Sequence, residues 1–158
     1  MAWAVGSDHA GLTLRRQARA WLEERGEAVQ EVGPGPKEPA DYPDVAWEVA
    51  RRVADGRAER AVLCCGTGVG MQMAAGCHCG VRAVVGENSV TVRLAREHND
   101  ANVLCLGERT LGALVAVELL AVFYGGVHDP EGRHAQRVRK LEGLKQPGWS
   151  VPAPAPSR

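Results

Sequence analysis

Stacking surface and net charge are both scarce in this chain: aromatic residues make up 4% of its 158 residues, and 19 Lys and Arg are balanced by 19 Asp and Glu. A nucleic-acid surface normally combines a basic excess with rings on which bases stack, and neither is here. The balance points to small-molecule work instead. Lysine occurs only at Lys37, Lys140 and Lys145, and the other sixteen cations are arginine, a bias we read as genome composition rather than function. Long apolar runs are missing too. The longest nearly apolar stretch, residues 111–123, is thirteen residues long, contains Glu118 and is too short to span a bilayer. The chain opens on no basic segment followed by an apolar one, and its five cysteines are an odd number. Reduced thiols and a cytoplasmic location are therefore expected.

What is present is a 45% apolar chain, enough to bury one core without disulfides or metal. Short β-branched or apolar runs at residues 2–5, 28–32, 61–65, 81–85 and 103–106 alternate with stretches of helical spacing. Leu14, Ala18, Trp21 and Leu22 mark one helix face, Val45, Val49 and Val53 a second, and Val90 and Leu94 a weaker third. This order predicts an α/β fold, an open five-stranded parallel sheet with helices on both faces. Gly26, Gly56 and Gly107 punctuate it after two helices and the last strand. The domain is expected over residues 1–142. Residues 143–158, with Pro147, Pro152, Pro154 and Pro156, read as a disordered Pro/Ala-rich tail. Residues 111–123 form a helix apolar on nearly every side, which calls for cover all round and points to a homo-oligomer; burial inside the monomer is the alternative.

The sharpest local motif is CCGTGVG, residues 64–70, where the third strand runs into a helix. Glycines there let backbone amides approach an anion at a helix N-terminus. The spacing Gly66, Gly68, Gly70 is followed by Met71, where a dinucleotide fingerprint needs its third glycine, and no Gly-Lys-Ser/Thr makes it a P-loop. A tight turn without ligand is the plainer alternative. Cys65 at the strand end faces the amides and the helix dipole, which favour a thiolate and make it a candidate base or nucleophile. Cys64 points to the opposite sheet face as a small buried hydrophobe. Cys77, His78 and Cys79 carry zinc-binding atoms, but their spacing is too tight for a structural zinc site and the only other adjacent cysteines lie in the glycine loop, so no metal is expected.

Two polar clusters fall in loops: Ser7, Asp8 and His9 after the first strand, and residues 96–102, with His98, before the last. Parallel sheets bind ligands beyond the carboxyl ends of their strands, so the first cluster and the glycine loop should share one rim. Alone, His98 reads equally as a satisfied structural histidine. Arg133 and Arg137 lie four apart on the expected last helix, so both guanidinium groups should face one way. They suit a phosphate, with a solvated charged face as the alternative.

Together these clusters resemble the type B ribose-5-phosphate isomerase family, which also includes the galactose-6-phosphate isomerase subunits. The matching stretches are GSDHAG (6–11), DYPD (41–44), CGTGVGM (65–71), GVRAVV (80–85), AREHNDANVLCLGER (95–109) and GRHAQRV (132–138), in the family's order. The resemblance implies a Rossmann-like three-layer sandwich that interconverts an aldose phosphate and its ketose phosphate, without metal or cofactor. It implies a homodimer, or a dimer of dimers, with pockets shared between subunits. On this sequence Cys65 would be the base moving a proton between C2 and C1, and His98 would open the furanose ring. Asp8, His9 and Asn99 would contact sugar hydroxyls or phosphate, and Tyr42 would line the pocket. Thr67 with the amides of Gly66, Gly68, Val69 and Gly70 would hold the enediolate, while Arg109, Arg133 and Arg137 would bind the phosphate end.

The chemistry agrees with these residue types. Removing a proton next to a carbonyl puts charge on oxygen, which preorganised amides stabilise, and a thiolate of tuned pKa is a workable base near neutrality. The chain departs from the family at Gly76 and Cys77, where Ala-Ala is commonly followed by Asn-Lys, and at residues 125–131, a loop about one residue longer than usual. Some relatives use a glutamate from the glycine-loop helix as base, and Met71 stands in that region here. Ribose 5-phosphate is the first substrate expected. The alternatives are another four- to six-carbon sugar phosphate, or a binding module without turnover.

Overall fold

The computed structural model describes residues 1–36 and 38–147. Five strands, β1 (Ala2–Ser7), β2 (Ala28–Val32), β3 (Arg60–Cys65), β4 (Ala83–Val85) and β5 (Val103–Gly107), form one all-parallel sheet in the order β2-β1-β3-β5-β4. The helices are α1 (Leu12–Glu23), α2 (Tyr42–Ala54), α3 (Val69–Ala75), α4 (Ser89–Asn99), α5 (Ala113–Gly125) and α6 (Ala135–Leu144). The expected α/β sandwich is the fold observed. Among the described residues no helix is long and apolar enough to cross a membrane.

Alternation along each strand divides the core into two layers. Val62, Cys64, Leu104 and Leu106 pack with Leu14, Leu22, Val92, Leu119 and Phe123 on the face covered by α1, α4 and α5. Ala61, Leu63, Cys65, Val103 and Cys105 pack with Val45, Val49, Val53 and Met71 on the face covered by α2 and α3. Adjacent cysteines 64 and 65 therefore lie on opposite faces, as a pleated strand requires. Val45 and Val49 recur one turn apart on α2 and are buried; each contributes about 1.5–3 kcal/mol relative to exposure.

Three elements differ from the sequence reading, and a fourth leaves apolar surface open. On α4 the buried apolar residues are Val92 and Ala95, while Val90 is turned to solvent. Asn88 marks the start of this helix, its side chain accepting from the Thr91 amide at 2.8 Å. Strand β4 begins at Ala83 rather than at residue 81, since the Arg82 amide is taken by the Asn102 side chain at 2.8 Å. Helix α5 is only half covered: Ala116, Leu119, Leu120 and Phe123 are buried, but Leu114 is 87% exposed. Finally, α6 continues to Leu144, and Lys145 donates to the carbonyl of His78 at 2.8 Å, so residues 143–147 belong to the fold. The rest of the expected tail, residues 148–158, lies outside the described residues.

Candidate active site

The order in which strands are added reverses between β1 and β3: β2 lies on one side of β1, and all later strands lie on the other. At such a switch point the loops leaving two neighbouring strands part and open a crevice at their carboxyl ends. The crevice here is a cleft of about 270 Å³ lined by Asp8, His9, Ala10, Tyr42, Cys65, Gly66, Thr67, Gly70 and Arg109. A larger cavity, about 350 Å³, lies elsewhere between β4, α4 and α6. The first is the candidate site, because it alone of the two holds a thiol among polar groups.

Local chemistry places each group. Cys65 is the last residue of β3 and is 5% exposed. Gly68, at φ 80°, turns the chain left-handed into α3, and its amide donates to Cys65 Sγ at 3.1 Å. Burial pushes the thiols of Cys64 and Cys105 up, which keeps them protonated. Thr67 leaves the turn exposed to the cleft, and its hydroxyl accepts from the Val69 amide at 3.4 Å. Gly66 and Gly70 give their neighbours room: a Cβ on Gly66 would sit 3.4 Å from the Arg109 guanidinium, and one on Gly70 would lie 2.7 Å from the Tyr42 ring.

Asp8 is 7% exposed and accepts from the Ala10 amide at 2.8 Å, an Asx turn that fixes the loop leaving β1. The His9 ring donates from Nδ1 to the Ala40 carbonyl at 3.3 Å, which leaves Nε2 open to the cleft. Glu108, which the sequence reading missed, ties this rim together. Its carboxylate accepts from the Thr13 and Leu14 amides at 2.9 and 3.1 Å at the start of α1, and its own amide donates to the Cys65 carbonyl at 2.8 Å. The only signal was its place beside Arg109.

His98, Asn99, Arg133 and Arg137 are not in this cleft. Helix α4 runs antiparallel to the strands, so its end lies near the start of β5. Residues 103 and 107 of β5 pair with 61 and 65 of β3, so the two rims are separated by four residues, roughly 13 Å of strand. At this second rim His98 stacks on His134, with ring centroids 3.9 Å apart and planes at 10°. Arg133 Nε donates to His134 Nε2 at 3.0 Å, and Arg137 Nη1 lies 3.3 Å from His134 Nδ1. A neutral imidazole accepts at only one nitrogen, so one guanidinium keeps a free donor. Burial first, then the neighbouring His98, Arg133 and Arg137, lower the pKa of His134.

Arg133 does not share a helix with Arg137. Asp129 holds residues 129–132 in a turn, its side chain accepting from the Glu131 amide at 3.0 Å, and α6 starts only at Ala135. The Asx turn competes with the helix, and the two arginines reach His134 from different elements. Arg109 is likewise apart from them, on the Cys65 rim. Cys77 and Cys79 diverge, Cys77 Sγ toward the Met73 carbonyl at 3.4 Å and Cys79 Sγ toward that of Lys145 at 3.6 Å.

A parallel α/β sandwich with a thiol, an amide cradle and paired arginines at its rims is the architecture of an enzyme acting on a small anionic substrate. Residues 3–141 match the Ribose/Galactose Isomerase family. The chain is 40% identical over 143 residues to ribose-5-phosphate isomerase B of Escherichia coli, covering 90% of this chain and 95% of that protein. It is 37% identical to D-erythrulose-4-phosphate isomerase 2 of Mycolicibacterium smegmatis, covering 87% and 92%. The solved structure of Clostridium thermocellum ribose-5-phosphate isomerase B superposes with a TM-score of 0.88 at 40% identity, over 92% of this chain and 97% of that one. The chain belongs to the Ribose/Galactose Isomerase family and is an isomerase.

Proposed function

We propose that this protein interconverts D-ribose 5-phosphate and D-ribulose 5-phosphate through an enediolate, in a homodimer whose two pockets each join the Cys65 rim of one copy to the His98 rim of the other. The observation that carries the reading is the Cys65 thiol on the Gly68 amide, inside a cleft walled by Asp8, His9, Tyr42, Thr67 and Arg109. The second rim supplies what this cleft lacks. Leu114, Val115 and Val90 remain exposed on α5 and α4, apolar surface that suits a second copy.

In this reading His98 takes the proton of the C1 hydroxyl and passes it to the furanose ring oxygen as the bond from that oxygen to C1 breaks, and the ring opens to the aldehyde. The Cys65 thiolate removes the proton from C2. Charge then develops on O1 and O2, where Thr67 and the amides of Gly66 and Gly70 meet it, joined by those of Gly68 and Val69 as they leave Cys65 Sγ and Thr67 Oγ1. The thiol, its proton exchanged with solvent, delivers a proton to C1, the O2 proton passes to O1, and the ketose forms. Asp8, His9 and Asn99 hold hydroxyls or phosphate. Arg109, with Arg133 and Arg137 of the second copy, fixes the phosphate, and that remote anchoring holds C2 against the thiolate.

A proton NMR time course with ribose 5-phosphate in deuterium oxide containing a chelator tests the chemistry. Ribulose 5-phosphate carrying deuterium at C1 is expected. A four-carbon aldose phosphate belongs in the same series, because one relative is named for erythrulose 4-phosphate and Gly76 and Cys77 depart from the family pattern. Faster turnover of that compound would move the substrate; silence on every sugar phosphate would leave only a binding module. Complementation tests the shared pocket. Cys65→Ala and His98→Asn chains are each inactive, but an equal mixture refolded together regains about a quarter of wild-type activity, because half the dimers carry one intact site.

A further inference from the structure

His98 and Asn99 end one helix and Arg137 sits on another, yet the proposed reaction needs them in one fixed arrangement. Apolar packing does not supply it. Helix α6 buries only Ala135, and Leu141 and Leu144 are 38% and 52% exposed beside the cavity between β4, α4 and α6. A polar network holds the two helices instead. The end of α4 is Asp100 at φ 48°, the one non-glycine residue with positive φ among the described residues. That backbone is less favourable for an aspartate than for a glycine, and the side chain and carbonyl of Asp100 are both held.

Arg82 holds both, and it holds α6 as well. Its Nε donates to the Asp100 carbonyl at 2.7 Å and its Nη2 to the Asp100 carboxylate at 2.6 Å. Its Nη1 donates to Glu142 on α6 at 2.5 Å, and the other Glu142 oxygen accepts from the Gly80 amide at 2.9 Å. Arg96, 5% exposed, closes the second side of Asp100 at 2.9 Å. A planar guanidinium serves both helices at once, whereas an ammonium on a flexible stem does not.

We propose that Arg82 is a positioning residue of the isomerase, bolting the end of α4, with His98 and Asn99, to α6, with Arg137, so that ring opening and phosphate binding share one frame. The inference rests on the roles proposed above for His98 and Arg137. Asp100 is the α4 side of the bolt and Glu142 the α6 side, so the two halves separate by substitution.

The test uses the full chain and two readouts, calorimetric binding of inorganic phosphate and steady-state turnover of ribose 5-phosphate. Glu142→Gln keeps an acceptor for Gly80 but loses the charge that holds Arg82. It is expected to weaken phosphate binding at least threefold and raise KM in step, with kcat within threefold. Asp100→Asn, which still tolerates positive φ, is expected to lower kcat about tenfold with phosphate binding unchanged. Arg82→Lys combines both losses. Arg137→Ala is the control: if it binds phosphate like wild type, the proposed phosphate site is wrong, and if wild type fails to turn over ribose 5-phosphate, the proposed function is wrong. If Arg137→Ala weakens phosphate but Glu142→Gln and Arg82→Lys do not, Arg82 is no positioning residue. That role is equally excluded if the variants melt lower yet keep wild-type KM and kcat well below their melting points. Should Arg82→Lys fail to fold, Glu142→Gln and Asp100→Asn decide alone.

Discussion

Cys65 and Cys64 are neighbours of one residue type with opposite fates. Cys64 lies in the core among α1 and α5 side chains, where burial pushes its thiol up; Cys65 opens to the cleft and accepts an amide hydrogen bond. Substituting Cys65 by Ala is expected to lower turnover about 10³-fold, within the range of a removed general base, while the melting temperature stays within about 2 °C. Activity remaining within tenfold of wild type would remove Cys65 as the base. At the other rim, His98→Asn is expected to cut turnover of ribose 5-phosphate sharply and that of a substrate unable to cyclise much less. Equal losses on both would contradict a ring-opening role. The types and spacing of these residues were legible in the sequence. The place of His134 was not: the histidine between two arginines gave no sign that it would stack on His98 from 36 positions away.

At the scale of elements, the turn from β3 into α3 does the most with the least chain. Gly68 takes φ 80° as the N-cap, and a Cβ added there would meet the Cys105 carbonyl at 3.1 Å. Gly68→Ala is expected to cost about 1–2 kcal/mol through the left-handed backbone and to turn the amide away from Cys65. Urea unfolding and turnover together check this, and activity should fall by more than the loss of stability accounts for. Wild-type activity in that variant would show that the Sγ hydrogen bond is not needed. Helix faces were readable where apolar residues recur, as on α2, and misread on α4, where Val92 and Ala95 rather than Val90 and Leu94 face the core. Loop competition displaced the start of α6 in the same way, since the Asp129 turn outweighs the helical spacing of Arg133 and Arg137.

For the whole molecule, stability is expected to depend on pH near neutrality. The His78 ring lies against Trp47 with centroids 3.7 Å apart, and burial lowers its pKa from the ordinary 6.5. The folded state then binds fewer protons than the unfolded one just below pH 6.5. Stability is full above that value and is lost as the pH falls toward the lowered pKa, and His134 adds in the same direction. Calorimetric melting from pH 7.5 to 5.5, chosen to bracket about one unit on either side of the ordinary histidine value, should show the decline, and Trp47→Ala should flatten it. An unchanged slope in that variant would assign the dependence elsewhere.

By itself the sequence determined the parallel sandwich, the two-sided core and the rim where Cys65 meets Asp8 and His9, because these follow from periodicity along single elements and from one rule about strand ends. Only the tertiary structure decided that His98, Arg133 and Arg137 stand at the opposite rim from Cys65, and that Arg82 joins α4 to α6. Which end of the sheet a helix terminus reaches, and which carboxylates one guanidinium spans, depend on how elements pack in space, and no local pattern of residues encodes that.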